Sequence, residues 1–303
     1  MREIQIGTNE ADQRMDRFLL KYFNNSSRTN VYKLIRKKVF KVNGERKKED
    51  YFLKNGDVIQ VYLSDESFDA LVKEEEVLAP VQVDIDIVFE DDNILIVNKP
   101  KGLLTHPDKN EFSKTLATKV QHYLKHLSTR TFKPAPIQRL DKNTSGLVTF
   151  AKNYETLKKL NAQMRDRSIR KFYQCVVLGD VKQAGEVKGW LLKDEGKNKV
   201  RMSKTESPGS KACHTKYKPI ERKGTHTLVE VELMTGRTHQ IRASMAWIGH
   251  PIVGDPKYGT GNRKNVRSQL LHGYKIVIDG QTYIHESAEI RRYMDSGKNR
   301  RQT

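Results

Sequence analysis

Between residues 12 and 63 the apolar positions change period. Met15, Phe18, Leu19, Tyr22 and Phe23 fall at i, i+3, i+4, i+7 and i+8, which predicts one helix with a single buried stripe. Ser26 and Ser27 offer an N-cap for a second helix. In it Val31, Leu34 and Ile35 face inward, and Arg28, Lys33, Arg36 and Lys37 face out. After that the helical period is lost. Val39 to Val42 reads as a strand, Asn43-Gly44 as a tight turn, and Val58 to Leu63 as a closing strand after Asn55-Gly56. Residues 1–63 are therefore expected to form a small α/β domain.

A second pattern begins near Val81 and runs to about residue 295. Ile85, Ile87 and Phe89 alternate with Asp84, Asp86 and Glu90, which predicts a half-buried strand, and Ile94 to Val97 is apolar throughout. Leu116, Val120, Leu124 and Leu127 predict a helix, as do Leu157, Leu160 and Met164. Leu147 to Phe150 and Phe172 to Leu178 read as buried strands. Val229, Val231 and Leu233 alternate with Glu230 and Glu232 in an amphipathic strand, and Ile241, Met245 and Ile248 return to helical spacing. Strands and helices are interspersed without repeats, so the large domain (81–295) is expected to be α+β. Between the domains, residues 64–80 carry six acids (Asp65, Glu66, Asp69, Glu74, Glu75, Glu76) and one base, Lys73, and read as a flexible acidic linker. Residues 291–303 hold five bases and one acid and read as a mobile end, with 296–303 set apart as a basic tail.

Charge narrows the partner. The 303-residue chain has a formal net charge of +19 and a sequence pI near 9.7, which implies a polyanion. An anionic membrane is the rival, but no run of about 18 apolar residues is present to span one. Met1-Arg2-Glu3 leads into polar sequence, and the only cysteines, Cys175 and Cys213, form no Cys-x-x-Cys pair, so a reducing cytoplasm is expected. Between Ser26 and Lys48 nine bases (Arg28, Lys33, Arg36, Lys37, Lys38, Lys41, Arg46, Lys47, Lys48) stand against Glu45 alone. A merely solvated face mixes signs, so this one is read as a phosphate-contacting, RNA-binding surface. Trp190 to Lys216, with Lys193, Lys197, Lys199, Arg201, Lys204 and Lys211, reads equally as an RNA path or as a solvated hairpin. His122 and His126 have metal-ligand spacing, but Tyr123 stands where a zincin needs Glu, and they are taken as surface histidines. Gly259 and Gly261 are followed by Lys264 where a dinucleotide loop needs a third glycine. No metal and no cofactor is expected.

The chemistry centres on Pro136 to Phe150. Asp141 lies on a loop that feeds the apolar run Leu147–Phe150, so its carboxylate is held rigidly yet stays reachable. Taken alone, such an aspartate more often caps a turn. Arg139-Leu140-Asp141 with Thr144-Ser145-Gly146-Leu147 resembles, however, the active-site signature of the pseudouridine synthases of bacterial large-subunit ribosomal RNA. Arg170-Lys171-Phe172-Tyr173 and Thr235-Gly236-Arg237-Thr238-His239-Gln240-Ile241-Arg242 resemble the same family, as does Lys99-Pro100-Lys101-Gly102 with His106-Pro107. Three motifs in order are far more specific than one, and the resemblance runs from about residue 12 to about 290.

The resemblance implies a catalytic domain built on a mixed, largely antiparallel sheet. It implies a catalytic Asp141, Arg237 as its ion-pair partner, and Tyr173 stacked on the base. Arg139, Thr144, His106, Gln240 and Arg242 would then contact substrate, and Leu271 would form an apolar wall. The N-terminal domain resembles a small RNA-binding domain first seen in a small-subunit ribosomal protein, with Arg28, Lys33, Arg36, Lys37, Lys38 and Lys41 toward RNA. Two positions depart from these patterns: Gln138 replaces a histidine, and Lys38 replaces a glycine. The implied activity is isomerisation of uridine in large-subunit RNA by a monomer without cofactor. Transfer RNA is the nearest alternative substrate, and a non-catalytic assembly factor or a DNA-binding regulator are the rivals from other classes.

Overall fold

The computed structural model describes residues 1–73, 83–108, 111, 113–194, 196, 199–259 and 266–296. The chain forms two compact units, one of residues 1–83, 119–135 and 151–159, the other of 84–118, 136–150 and 160–303.

In the first unit, β1 (Arg2–Gln5), β2 (Phe40–Val42) and β3 (Val58–Val61) make an antiparallel sheet in the order β1-β3-β2. Helices α1 (Met15–Tyr22) and α2 (Arg28–Arg36) cover it. Met15, Phe18, Leu19, Phe23 and Val31 are buried with Phe40, Val42, Ile59 and Val61, as the helical stripe predicts. Each such side chain contributes roughly 2 kcal/mol of hydrophobic stabilisation. Ser27 caps α2 by accepting from the Asn30 N–H at 3.2 Å. Asn43 and Gly44 both take positive φ (51° and 79°), the conformation a two-residue hairpin with the strand's own twist requires. Lys38 also adopts positive φ, 63°, so it makes the turn that glycine would make, at a cost of about 1 kcal/mol.

The acidic stretch expected as a linker is in part a helix. In α3 (Asp65–Leu71), capped by Ser64, Phe68 is buried in the first unit's core. Asp65 and Asp69 sit on α3 and meet Arg2 at 2.8 and 2.6 Å. Alternating charge and apolar residues hid this, because a one-turn anchor such as Phe68 gives no periodic signal. Residues 74–80 of the expected linker lie outside the described residues.

Among the described residues the second unit is built on an 11-stranded sheet. Its strands include β4 (Asp86–Glu90), β5 (Ile94–Lys99), β6 (Ala135–Pro136), β7 (Ser145–Ala151), β8 (Arg170–Leu178), β9 (Gly185–Asp194) and β10 (Lys199–Ser203). Then follow β11 (Lys211–Lys223), β12 (His226–Leu233), β13 (Leu271–Ile278) and β14 (Gln281–Ile284). The main path is β10-β9-β11-β12-β8-β13-β7-β5-β4, antiparallel at most steps, with β13 and β7 parallel. Helices α6 (Gln240–Trp247) and α7 (Ala288–Asp295) belong to this unit, and α4 (Leu116–Tyr123) and α5 (Tyr154–Asp166) each have residues in both units. The fold is thus α+β with a mixed, largely antiparallel sheet.

Some local expectations fail here. Ile87 is 39% exposed, because a bulge between Ile87 and Phe89 breaks the alternation on this edge strand. Glu230, expected on the solvent face of β12, is buried; it accepts from Lys218 at 2.9 Å and from the Tyr274 hydroxyl. Arg291 to Asp295 belong to α7, anchored by buried Ile290 and Met294, rather than to a mobile end. Residues 297–303, Lys197, Gly261 and Lys264 lie outside the described residues. Trp190 to Lys216 forms the β9–β10 hairpin and the start of β11.

Close approach at the centre of the sheet depends on two glycines. Gly146 of β7 lies opposite Gly273 of β13 and has φ 126°. A Cβ on Gly146 would meet the Gly273 backbone at 2.4 Å, and one on Gly273 would meet the Tyr173 ring at 3.2 Å. Backbone cannot yield as a flexible side chain does. Gly146→Ala is therefore expected to lower stability by about 3 kcal/mol or more in chemical denaturation; a loss below about 1 kcal/mol would show that the strands part easily.

Candidate active site

Asp141 is placed by its neighbours in sequence. The Leu140 N–H donates to Thr105 Oγ1 at 3.2 Å, and the same hydroxyl donates back to the Leu140 carbonyl at 3.1 Å. The Lys142 carbonyl accepts from the Gly102 N–H at 2.9 Å and from Lys99 Nζ at 3.1 Å. Thr144 closes the loop by donating its N–H to the Asp141 carbonyl at 3.0 Å. The backbone is therefore held on both sides of Asp141 by the Lys99–Thr105 loop, which the sequence places beside the cleft.

Lys99 does most of this holding. It has no exposed surface, and its ammonium donates to the carbonyls of Pro100, Leu103 and Lys142 at 2.9, 2.7 and 3.1 Å. Burial pushes its pKa down to about 7, and the charge of Asp141 works against that shift. Three acceptors match the three protons of the charged form.

The carboxylate of Asp141 is held by Arg242, not by Arg237. Arg242 Nη1 donates to Asp141 Oδ2 at 3.1 Å, while its Nε and Nη2 form a two-bond fork to Asp255 at 2.7 and 2.9 Å. Asp255 is fully buried and also accepts the N–H groups of Lys257 and Tyr258 at 2.8 and 3.1 Å. Burial disfavours the Arg242 charge, but Asp255 and then Asp141 outweigh it and raise its pKa. Burial likewise opposes ionisation of Asp255, and Arg242 reverses this, holding the carboxyl below its usual range. Arg237 instead lies exposed on the turn after β12, its Nε donating to the Ala212 carbonyl at 3.2 Å. The sequence assigned the pairing to the wrong arginine of the motif because α6 begins between them. Gln240 is the first residue of that helix, so Arg242 is carried inward on its first turn while Arg237 stays on the loop.

Gln240 holds the turn that carries both arginines. Its Oε1 accepts from Thr235 Oγ1 and the Arg237 N–H at 2.8 and 3.1 Å, and its Nε2 donates to the His214 carbonyl and Thr215 Oγ1 at 3.0 and 2.9 Å. The amide is fully used inside the protein, so it fixes the turn, while the residue also lines the pit around Asp141.

Around Asp141 the structure gathers Arg139, Thr144, Tyr173, Arg237, Gln240, Arg242 and Leu271 into the lining of one pit, with His239. Tyr173 is buried on β8, and burial together with the charge of Asp141 raises its pKa, so its phenol stays protonated at neutral pH. His239 has φ 53° and precedes α6; its Nε2 is 3.9 Å from Asp141 Oδ2 and its Nδ1 3.2 Å from the Tyr258 hydroxyl. Burial keeps its pKa low against the pull of Asp141, so it is neutral. His106 is half-buried and outside the pit lining; burial and then the Arg139 charge lower its pKa. Among the described residues no cluster of three metal-ligating side chains occurs, and no helix is long and apolar enough to cross a membrane.

Asp255, Lys99, Thr105 and His239 were given no role from sequence. Asp255 follows the apolar Ile252-Val253 and a glycine, a faint sign of a buried acid at the end of a core segment. Truncation separates the two arginines. Arg242→Met leaves Asp255 buried and unpaired and is expected to lose about 3–5 kcal/mol in urea denaturation. Arg237→Met is expected to lose less than about 1 kcal/mol, and equal losses would contradict the assignment.

Residues 93–247 match the RNA pseudouridylate synthase family, and residues 13–59 match the S4 domain. An uncharacterized RNA pseudouridine synthase of Bacillus subtilis (strain 168) is 34% identical over 285 residues, covering 92% of this chain and 90% of its own length. The ribosomal large subunit pseudouridine synthase C of Vibrio parahaemolyticus is 32% identical, covering 84% and 79%. The corresponding synthase D of Borreliella burgdorferi is 32% identical, covering 78% and 75%. Among solved structures, the human RNA pseudouridylate synthase domain containing 4 overlays with a TM-score of 0.58 at 20% identity, over 70% of this chain and 92% of that one. The chain belongs to the RNA pseudouridine synthase family and carries an S4 domain ahead of the synthase fold.

Proposed function

We propose that this enzyme isomerises uridines of large-subunit ribosomal RNA, with Asp141 as the catalytic carboxylate acting on a flipped-out uridine. The observation that carries the reading is a reachable carboxylate, 27% exposed, whose charge is oriented by a buried arginine at the floor of a pit. The relatives named for large-subunit RNA support the choice of substrate.

The reaction breaks the bond from the ribose anomeric carbon to uracil N1, turns the base, and joins the same carbon to C5. The C5 proton leaves and a proton is gained at N1, so no electrons and no co-reactant are needed. Asp141 serves this by attacking the sugar, attacking the ring, or removing a sugar proton. In each route an ionised carboxylate is required, and Arg242 Nη1 holds Asp141 Oδ2 in place at 3.1 Å. Tyr173, a neutral phenol, offers a ring face for stacking, and Leu271 closes the apolar side. Extruding a stacked uridine costs a few kcal/mol, which binding to the RNA backbone offsets. Arg28, Lys33, Arg36, Lys37 and Lys38 are exposed on and just after α2 and suit that binding. Lys41 is half-buried, its ammonium 5.0 Å from the Tyr62 ring centre.

Ribosomal RNA carrying tritium at uracil C5 tests the chemistry. The native protein is expected to release tritium to water without cofactor, and Asp141→Asn to release none while still binding RNA. Release by the mutant at the native rate would remove Asp141 from catalysis; no release by the native protein on ribosomal or transfer RNA would favour a binding factor. The S4 surface is tested separately by Arg28→Gln with Arg36→Gln and Lys37→Gln. The slope of log affinity against log salt is expected to flatten by about 2, because each phosphate neutralised by a side chain accounts for about 0.7–0.9 of it. An unchanged slope would take α2 off the RNA.

A further inference from the structure

Beside the pit lies a larger cleft of about 350 Å³. Arg139, Asp141, Tyr173 and Arg237 are among the residues it shares with the pit, and Gln138, Met164, Lys171 and Thr238 line it outside the pit. Two polar groups of this lining lack an oppositely charged or strong hydrogen-bonding partner among the described residues. Gln138 Oε1 is buried and accepts no hydrogen bond. Native structures seldom leave such an atom unpaired, and Gln138 lines the cleft, where a ligand that shifts its side chain can supply the missing donor. Lys171 is the second. Among the described residues its Nζ reaches only Met164 Sδ, at 3.8 Å. Burial lowers its pKa, and no carboxylate acts on it. A cation in that position gains most from an anion brought from outside.

An unpaired acceptor and an unpaired cation in one cleft that shares a wall with the uridine pit fit a single chemical object. A nucleotide presents a base N–H and a phosphate at once. We propose that this cleft is a subsite for the nucleotide next to the target uridine, its base donating to Gln138 and its phosphate resting on Lys171. The inference rests on the isomerase reading of the pit. It also gives the departure at position 138 a meaning. A glutamine amide presents donor and acceptor side by side and is suited to reading a base edge. Unlike histidine it does not change charge near neutral pH, so this recognition is independent of pH there.

Binding measured by anisotropy tests the subsite without relying on turnover. The probes are labelled RNA hairpins with one loop uridine: one unmodified, others abasic at the nucleotide on either side of it, others with a neutral methylphosphonate on either side. Native protein is expected to bind one of the abasic hairpins and one of the methylphosphonate hairpins about tenfold more weakly than the unmodified one. Gln138→Leu should bind the abasic and intact RNAs alike. Lys171→Met should bind the methylphosphonate and intact RNAs alike, and Lys171→Arg should restore the difference. Thermal melts confirm that each variant is folded, and Lys171→Gln replaces the methionine variant if that one is not. Native protein that binds all the hairpins alike overturns the proposal, as do variants that discriminate as the native protein does. Absence of tritium release with this binding pattern intact would count against the isomerase reading alone.

Discussion

One guanidinium organises the site. Arg242 carries a charge that would be prohibitive in the interior by itself, and Asp255, equally buried, is what makes it tolerable. With its Nε and Nη2 taken by Asp255, the remaining Nη1 has a fixed direction, and Asp141 meets it at 3.1 Å. The reachable carboxylate is therefore oriented by a buried pair, of which Arg242 lines the pit and Asp255 lies behind it. A lysine at position 242 offers no such fork.

The remaining elements serve that placement from the backbone side. Thr105 clasps Leu140 and Lys99 clasps Lys142, so the peptide on each side of Asp141 is fixed before its side chain is considered. Gly146 and Gly273 let β7 and β13 approach closely where the loop enters the sheet, and Gly273 leaves room for the Tyr173 ring. Gln240 spends its whole amide on the turn that separates exposed Arg237 from buried Arg242. In this arrangement rigidity comes from hydrogen bonds to carbonyls and from close strand packing, which suits a site whose reachable carboxylate must not wander.

The sequence made much of this legible, for identifiable reasons. The helical stripe from Met15 to Phe23 and the apolar runs at Ile94–Val97 and Phe172–Leu178 are long-range signals, and each became the element it predicted. Asp141, Tyr173 and Leu271, which motif order singles out, line one pit. What failed depends on direction rather than residue type. Whether Arg237 or Arg242 turns inward is decided by where α6 starts, and no pattern of polar residues reports that to within one turn. Asp255 pairs across 13 positions with a helix residue, and Lys99 reaches a carbonyl 43 positions away, so neither role has a local trace. Phe68 shows the same limit in the acidic stretch, where one buried ring converts an apparent linker into α3. Lys38 shows the opposite case: the turn expected of a glycine survives without it, because the surrounding structure sustains the positive φ.

The most direct test is the rate of tritium release from C5-labelled ribosomal RNA by Asp255→Asn. This change removes the charge that orients Arg242 yet leaves every residue lining the pit in place. If Asp141 is aimed from beneath, the variant is folded, binds RNA as the native protein does, and turns over about a hundredfold more slowly, the effect of a small misplacement of a catalytic group. A folded variant that releases tritium at the native rate would show that Asp141 needs no such support, and the account would fall.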